Sequence, residues 1–358
     1  MGASSRTVLE VRNLDLSFRM PTGNVHAIRG VDFRLEKNEV VALVGESGCG
    51  KSITVKSIMG ILPENAEIHT GEVIFHSGDE EVDLLKKKPS WRQKNINGSK
   101  ISMVFQDPMT SLNPTMGIGA QIILSIRTHC QVSKKEAYAK AVELLREVGI
   151  TDPERTMKQY PHQLSGGMRQ RVVIAIALSC DPQILICDEP TTALDVTIQG
   201  RILDMIQKIQ RSRGISVIFI THNLGVVAKI ADYVGVMYAG KIIEYGTVFD
   251  IFYNPRHPYT WGLLSAVPEV SDEKGDLYSI PGTPPNLAEE IVGDAFAPRN
   301  PYALEVDFKA EPPIFQLSKT HYVRSWLADE RAPKVEMPEA LKERIERMRQ
   351  EGRAYVKE

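Results

Sequence analysis

Val40-Val41-Ala42-Leu43-Val44-Gly45-Glu46-Ser47-Gly48-Cys49-Gly50-Lys51-Ser52-Ile53 decides how the rest of the chain is read. Five successive apolar residues running into glycine fit a strand buried on both faces of a parallel sheet. Gly45–Ser52 then satisfies G-x-x-x-x-G-K-[ST] in full, and a helix-compatible stretch follows, which is the context the motif requires. The glycines let successive backbone N–H groups turn inward onto phosphate oxygens, and the amino terminus of the following helix adds a favourable dipole. Lys51 is placed to reach β- and γ-phosphates and Ser52 to ligate Mg²⁺. Gly45, Glu46, Ser47, Gly48, Cys49, Gly50, Lys51, Ser52 and Ile53 are the candidate phosphate-binding positions.

Two further apolar runs, Ile184–Cys187 and Val217–Ile220, end in polar residues at their carboxyl ends, where open α/β sheets place their ligands. Asp188 and Glu189 follow the first. One carboxylate beside a phosphate loop can hold Mg²⁺ through water, and the next can polarise an attacking water. His222 follows the second, on the same sheet edge. Upstream, Val8–Val11, Leu14–Phe18 and Val25–Leu35 read as strand pieces, and Pro21-Thr22-Gly23-Asn24 as a hairpin turn. Residues 115–180 read mainly as helix, with Lys134–Val148 stopped by Gly149. From Pro255 prolines cluster (255, 258, 268, 281, 284, 285, 298, 301, 312, 313) and predict an irregular, loop-rich extension. The tail from Pro338 carries a helical stripe of Leu341, Ile345 and Met348.

The 358 residues carry a net charge of −2, a 42% apolar and a 25% charged fraction. That balance is ordinary for a soluble α/β protein, and with a pI near 6.5 there is no basic field for nucleic acid. Lys86-Lys87-Lys88 reads as a solvated loop. No apolar run approaches the roughly 20 residues of a membrane span, and the first thirty residues show no secretory pattern. Cys49, Cys130, Cys180 and Cys187 form no Cys-x-x-Cys pair, so reduced thiols in the cytoplasm are expected.

Leu164-Ser165-Gly166-Gly167-Met168-Arg169-Gln170-Arg171 resembles the LSGGQ signature of ATP-binding cassette (ABC) ATPases, with Met168 where glutamine is commonest. Gln106 in Val104-Phe105-Gln106-Asp107-Pro108 resembles the Q-loop, Ala193-Leu194-Asp195 the D-loop and His222 the switch histidine. Phe18 sits where the adenine-stacking aromatic belongs. The resemblance implies a mostly parallel sheet with flanking helices, an N-terminal antiparallel β-subdomain and an inserted helical subdomain over about 107–180. It implies that Glu189 and His222 are catalytic and that Ser52, Gln106 and Asp188 hold Mg²⁺. Phe18, the phosphate loop, Gln106, Ser165, Gly166, Gly167 and Asp195 would bind ATP. A Ser-Gly-Gly turn at a helix start offers a hydroxyl and free N–H groups to an anion; in this family those groups meet the γ-phosphate on a partner's loop. One loop and one signature therefore make half of each site, and a second cassette is required.

Phe105–Pro114, Arg256-His257-Pro258-Tyr259-Thr260 and Ile280-Pro281-Gly282-Thr283-Pro284-Pro285 are similar to the dipeptide and oligopeptide importer branch. The expected domains are a cassette over 1–255, an extension over 256–335 and a helical tail over 336–358. The implied assembly pairs this chain with a different ATPase subunit and two membrane permease subunits on the cytoplasmic face of the membrane. An extracellular peptide-binding protein would deliver the solute. The ATPase motifs leave oligopeptide, dipeptide, nickel and other small solutes open. A soluble cassette ATPase acting on ribosomes or DNA would carry two cassettes or a coiled-coil insertion, and neither is present.

Two expectations concern sulfur. Cys49 stands in the phosphate loop at the start of a helix; the plain reading is that sulfur replaces oxygen there with no consequence, and the alternative is that the helix dipole lowers its pKa and exposes a thiolate. In the same branch the extension often binds an iron–sulfur cluster through four cysteines. Here the frame survives as Gly293–Pro301, Asp307 and His321–Trp326, but those positions are Asp294, Asn300, Asp307 and Ser325. Oxygen side chains are poor substitutes for thiolates, so no cluster is expected. Phe296 and Trp326 should pack against the cassette, with polar contacts replacing the cluster's cross-links.

Overall fold

The computed structural model describes residues 6–21, 23–78, 80–192, 194–267 and 279–350. Thr22, Ala193, Pro268 and the tail beyond Gln350 lie outside the described residues. Twelve strands are described: β1 (Thr7–Met20), β2 (Gly23–Glu36), β3 (Val40–Val44), β4 (Ala66–Ser77), β5 (Glu80–Asp83), β6 (Ile101–Val104), β7 (Ile184–Asp188), β8 (Ser216–Ile220), β9 (Tyr233–Tyr238), β10 (Lys241–Thr247), β11 (Phe315–Gln316) and β12 (Tyr322–Val323). They form an antiparallel sheet ordered β2-β1-β4-β5 and an eight-stranded sheet ordered β11-β12-β10-β9-β3-β8-β7-β6. The expected hairpin strands are β1 and β2, paired antiparallel from Thr7–Glu36 to Met20–Gly23 with several bulges.

The five strands β9-β3-β8-β7-β6 pair in parallel. Period-two alternation sends Val40, Ala42, Val44, Val217 and Phe219 into one core, and Val41, Leu43, Ile218 and Ile220 into the other. Both faces are therefore buried, and all five loops that leave these strands emerge on one edge. The helical subdomain packs Ile118–His129, Lys134–Glu147 and Gly166–Leu178 together through Ile122, Ile126, Ala141, Leu145 and Val172. Ser133 and Glu136 form a reciprocal capping box at the start of the middle helix, and Gly149 (φ +78°) ends it.

The extension is less irregular than its prolines suggest. Pro258–Ser265 is a helix, because Pro258 occupies the first turn, where its missing N–H costs nothing, and His257 Nδ1 accepts from the Tyr259 N–H. β12 then pairs onto β10, and β11 onto β12, which lengthens the cassette's own sheet. His321 Nε2 lies 2.9 Å from the fully buried carboxylate of Glu244, which also accepts the Arg256 and His257 N–H groups. Phe296 is buried against the rings of Tyr238 and Tyr259, as expected. Trp326 departs from expectation: it packs on Phe315 and donates to the Ala310 carbonyl, both within the extension.

Asp294, Asn300, Asp307 and Ser325 are all buried, and each side-chain oxygen accepts a backbone N–H close in sequence. Asp294 takes Phe296 (3.0 Å), Asn300 takes Tyr302 (3.0 Å), Asp307 takes Leu304 (2.6 Å) and Ser325 takes Leu327 (3.4 Å). These are local turns of the Asx and Ser/Thr kind. Burial, reinforced by neighbouring Asp307, raises the Asp294 carboxyl to about 6. Between the usual Asp value and 6 the unfolded chain therefore gives up the proton first, and stability falls as pH rises through that window. Asp294→Asn keeps the turn acceptor without the charge. It should raise stability at pH 7 by about 1–2 kcal/mol and leave it unchanged at pH 4, as read by thermal unfolding at both pH values.

Candidate functional site

β3 delivers the phosphate loop to the sheet edge. Gly45 has φ +148°, and a Cβ there would overlap the Met237 carbonyl oxygen; Gly50 has φ +108°, and its Cβ would sit 2.8 Å from Ile28 and 3.0 Å from the Ala27 oxygen. Both positions need glycine, for backbone angle and for space. The Lys51 ammonium is buried and donates to the Gly45 (2.8 Å) and Glu46 (2.9 Å) carbonyl oxygens, folded over the loop it serves. That cradle, with a buried cation across it, fits a polyphosphate.

At the other side of the loop Ser52 donates its hydroxyl to Asp188 Oδ1 at 2.8 Å. Burial pushes the Asp188 carboxyl up, partly offset by that hydrogen bond. A hydroxyl and a carboxylate in contact, with an amide nearby, are the hard oxygen donors Mg²⁺ prefers. Glu189 follows with φ +47°, a left-handed conformation that costs a residue with a side chain of order 1 kcal/mol. Its N–H is held by the Ile220 carbonyl of β8 at 3.0 Å. Three neutral or switchable groups surround its carboxylate. Gln106 donates Nε2 at 3.2 Å, Thr192 donates its hydroxyl at 3.0 Å, and His222 Nδ1 lies 3.4 Å away. The loops after β6, β7 and β8 thus converge on one carboxylate beside the phosphate loop.

The signature lies apart from that cluster. Ser165 caps the helix Gly166–Leu178 by accepting the Met168 N–H, and Ser165 and Gly166 are exposed. A Cβ on Gly167 would press on Ile198 at 2.8 Å, so the signature backbone rests on the helix that Asp195 caps. Asp195 accepts the Ile198 N–H at 2.9 Å. No hydrogen bond among the described residues joins Ser165 or Asp195 to this chain's own phosphate loop. Phe18, near the end of β1, is half-buried against the core that also holds Ile28 and Cys49.

Two expectations change. Glu46 does not offer its N–H to the cradle: that group donates to the Tyr259 hydroxyl at 2.9 Å, and its carboxylate pairs with Arg299. Cys49 is buried, and desolvation raises its thiol above the ordinary value despite Lys51 at 3.6 Å, so the helix dipole does not expose a thiolate. Thr192, Tyr259 and Arg299 escaped the sequence reading as site residues. The last two sit in quoted motifs, but nothing in spacing alone says that they reach the phosphate loop.

Comparison with known proteins agrees with this geometry. The ABC transporter family model matches residues 28–192, and the model for the oligopeptide/dipeptide transporter C-terminal region matches 243–306. The dipeptide transport ATP-binding protein of Lactococcus lactis subsp. cremoris is 56% identical over 92% of this chain and 93% of its own length. The chain belongs to the ABC transporter family, in its oligopeptide/dipeptide branch. The oligopeptide transport ATP-binding protein of Bacillus subtilis is 53% identical, covering 95% of this chain and 94% of that one. A dimeric bacterial ABC transporter cassette superposes with a TM-score of 0.59 at 26% identity, covering 67% of this chain and 98% of that chain. The same score is reached, at 25% identity and the same coverage, by a dimeric cassette bound to ADP and phosphate after hydrolysis. For this ABC ATPase the raised Cys49 thiol has a direct consequence. Iodoacetamide at pH 7 should leave Cys49 unmodified in the native chain and label it after unfolding, as mapped by peptide mass spectrometry.

Proposed function

We propose that this chain is the ATP-hydrolysing subunit of an importer that drives oligopeptide uptake across the bacterial cytoplasmic membrane. The observation that carries the reading is the convergence of Gln106, Thr192 and His222 on Glu189, beside Ser52–Asp188 and the Lys51 cradle. In this reading the loop from Gly45 to Ile53, with the Glu46 N–H and carboxylate turned away from it, wraps the phosphates of ATP and Phe18 stacks on adenine. Ser52, Asp188 and Gln106 hold Mg²⁺, which would neutralise charge on the transferring phosphoryl group. Glu189 orients and polarises the attacking water, held in place by Thr192 and by its backbone bond to Ile220. His222 Nδ1 lies 3.4 Å from that carboxylate and flanks the attacking water in this reading.

The signature, with Ser165 and Gly166 exposed, Gly167 buried and Asp195 behind it, faces outward in this proposal to the ATP of a second, different cassette subunit. Two permease subunits receive the motion of the Q-loop region, and an extracellular binding protein brings the peptide. No helix among the described residues is long and apolar enough to cross a membrane, so the chain would sit peripherally on the cytoplasmic face, held by the permeases. Nucleic acid plays no part. The extension works without an iron–sulfur cluster, because the four relevant oxygens already serve backbone turns.

Lys51→Ala should weaken ATP binding by roughly 10² or more, since it removes the buried cation of the cradle. Glu189→Gln should preserve binding and lower turnover by about 10²–10³. Calorimetric titration with ATP and a phosphate-release assay measure the two effects. A Glu189→Gln variant hydrolysing ATP at the native rate would exclude Glu189 as the catalytic carboxylate.

A further inference from the structure

A two-pronged ion pair between the extension and the cassette ends inside the phosphate loop. Arg299, whose side chain is 4% exposed, grips the Glu46 carboxylate with both terminal nitrogens, at 2.6 and 3.0 Å. Its Nε donates to the Pro281 carbonyl at 2.8 Å, and its guanidinium lies 5.7 Å from the centre of the Tyr238 ring. Tyr259, its ring tilted against that of Tyr238, accepts the Glu46 N–H. Further along, the Leu287 carbonyl takes the His26 N–H at 2.8 Å. Pro284, Pro285 and Leu287 face Glu46–Cys49 across a cavity of about 150 Å³. The residue directly after Gly45 is thus held by two side chains of the extension, Tyr259 and Arg299, and Tyr238 lies against both.

Glu46 is an awkward residue for its place. A carboxylate inside a loop that must receive a polyphosphate repels the ligand, and partial burial strengthens the repulsion. It could also capture Lys51, whose ammonium already rests on the Glu46 carbonyl oxygen. We propose that Arg299 is a positioning residue of the ATP site: by pairing with Glu46 it withholds that carboxylate from both the phosphates and Lys51, so the extension sets the affinity of the phosphate loop. A fork of two parallel hydrogen bonds suits the task, because it fixes the carboxylate's plane as well as its charge.

The inference rests on the phosphate-loop reading, and it predicts opposite signs for the two partners. In the full-length chain, Arg299→Met should weaken ATP binding by about tenfold or more, because it frees the carboxylate. Glu46→Gln removes the charge and should bind ATP as tightly as the native chain or more tightly. The double variant should return to within about threefold of native affinity, a coupling between contacting residues. A merely structural strut would make both single variants weaker. The loss in Arg299→Met should also be larger for ATP than for AMP, since the repulsion grows with phosphate charge. Calorimetric titration with ATP and AMP reads all of this, and thermal unfolding without nucleotide confirms that each variant folds. Weakening in both single variants, no weakening in Arg299→Met, or a double variant as weak as Arg299→Met overturns the inference. Should Arg299→Met fail to fold, Glu46→Gln decides: native or tighter binding supports the role, and weaker binding overturns it. Lys51→Ala separates the two levels, because native affinity there would overturn the phosphate-loop reading itself.

Discussion

Parallel pairing of β9-β3-β8-β7-β6 is the constraint from which the site follows. Because the strands run in one direction, the segments after β3, β6, β7 and β8 leave the same edge, and groups far apart in sequence meet there. Ser52 touches Asp188, and Gln106, Thr192 and His222 surround Glu189. The cores on both faces hold that edge rigid, which lets the protein sustain the left-handed backbone at Glu189. A strained residue locked by a neighbouring strand cannot drift, and a group that must orient one water requires that fixity.

The extension changes character when seen from this edge. It adds β11 and β12 to the cassette's sheet, satisfies the buried Glu244 with His321, and reaches the phosphate loop through Tyr259 and Arg299. Asp294, Asn300, Asp307 and Ser325 each accept a backbone N–H close in sequence. The Gly293–Pro301 segment keeps its shape by local hydrogen bonding, with Phe296 and Arg299 projecting from it toward Tyr238 and Glu46.

Much of this was legible in the residues themselves. The Val40–Ser52 stretch announces strand, loop and helix because each needs a distinct and local chemistry, and Asp188, Glu189 and His222 are recognisable by their place after apolar strands. What escaped was set by tertiary contact. Thr192 looks like any turn threonine until Glu189 is placed beside it, and Arg299 like any surface arginine until the extension folds back over 250 residues to Glu46. Cys49 misled for the same reason: helix position suggested a lowered pKa, but burial, invisible in sequence, dominates. The helix at Pro258–Ser265 was hidden by counting prolines rather than asking which helical turn each occupies.

The central claim is that this chain holds half of each ATP site, its loop and Glu189 serving one nucleotide and its Ser165–Gly167 turn, exposed at Ser165 and Gly166, another. The most direct test is the rate of ATP hydrolysis per chain as a function of chain concentration, alone and with the second ATPase subunit. A half-site requires the rate per chain to climb with concentration or on adding the partner, and to level off when pairing saturates. A rate per chain that is high, constant with dilution and indifferent to the partner would mean that one chain completes the site alone, and would contradict the account.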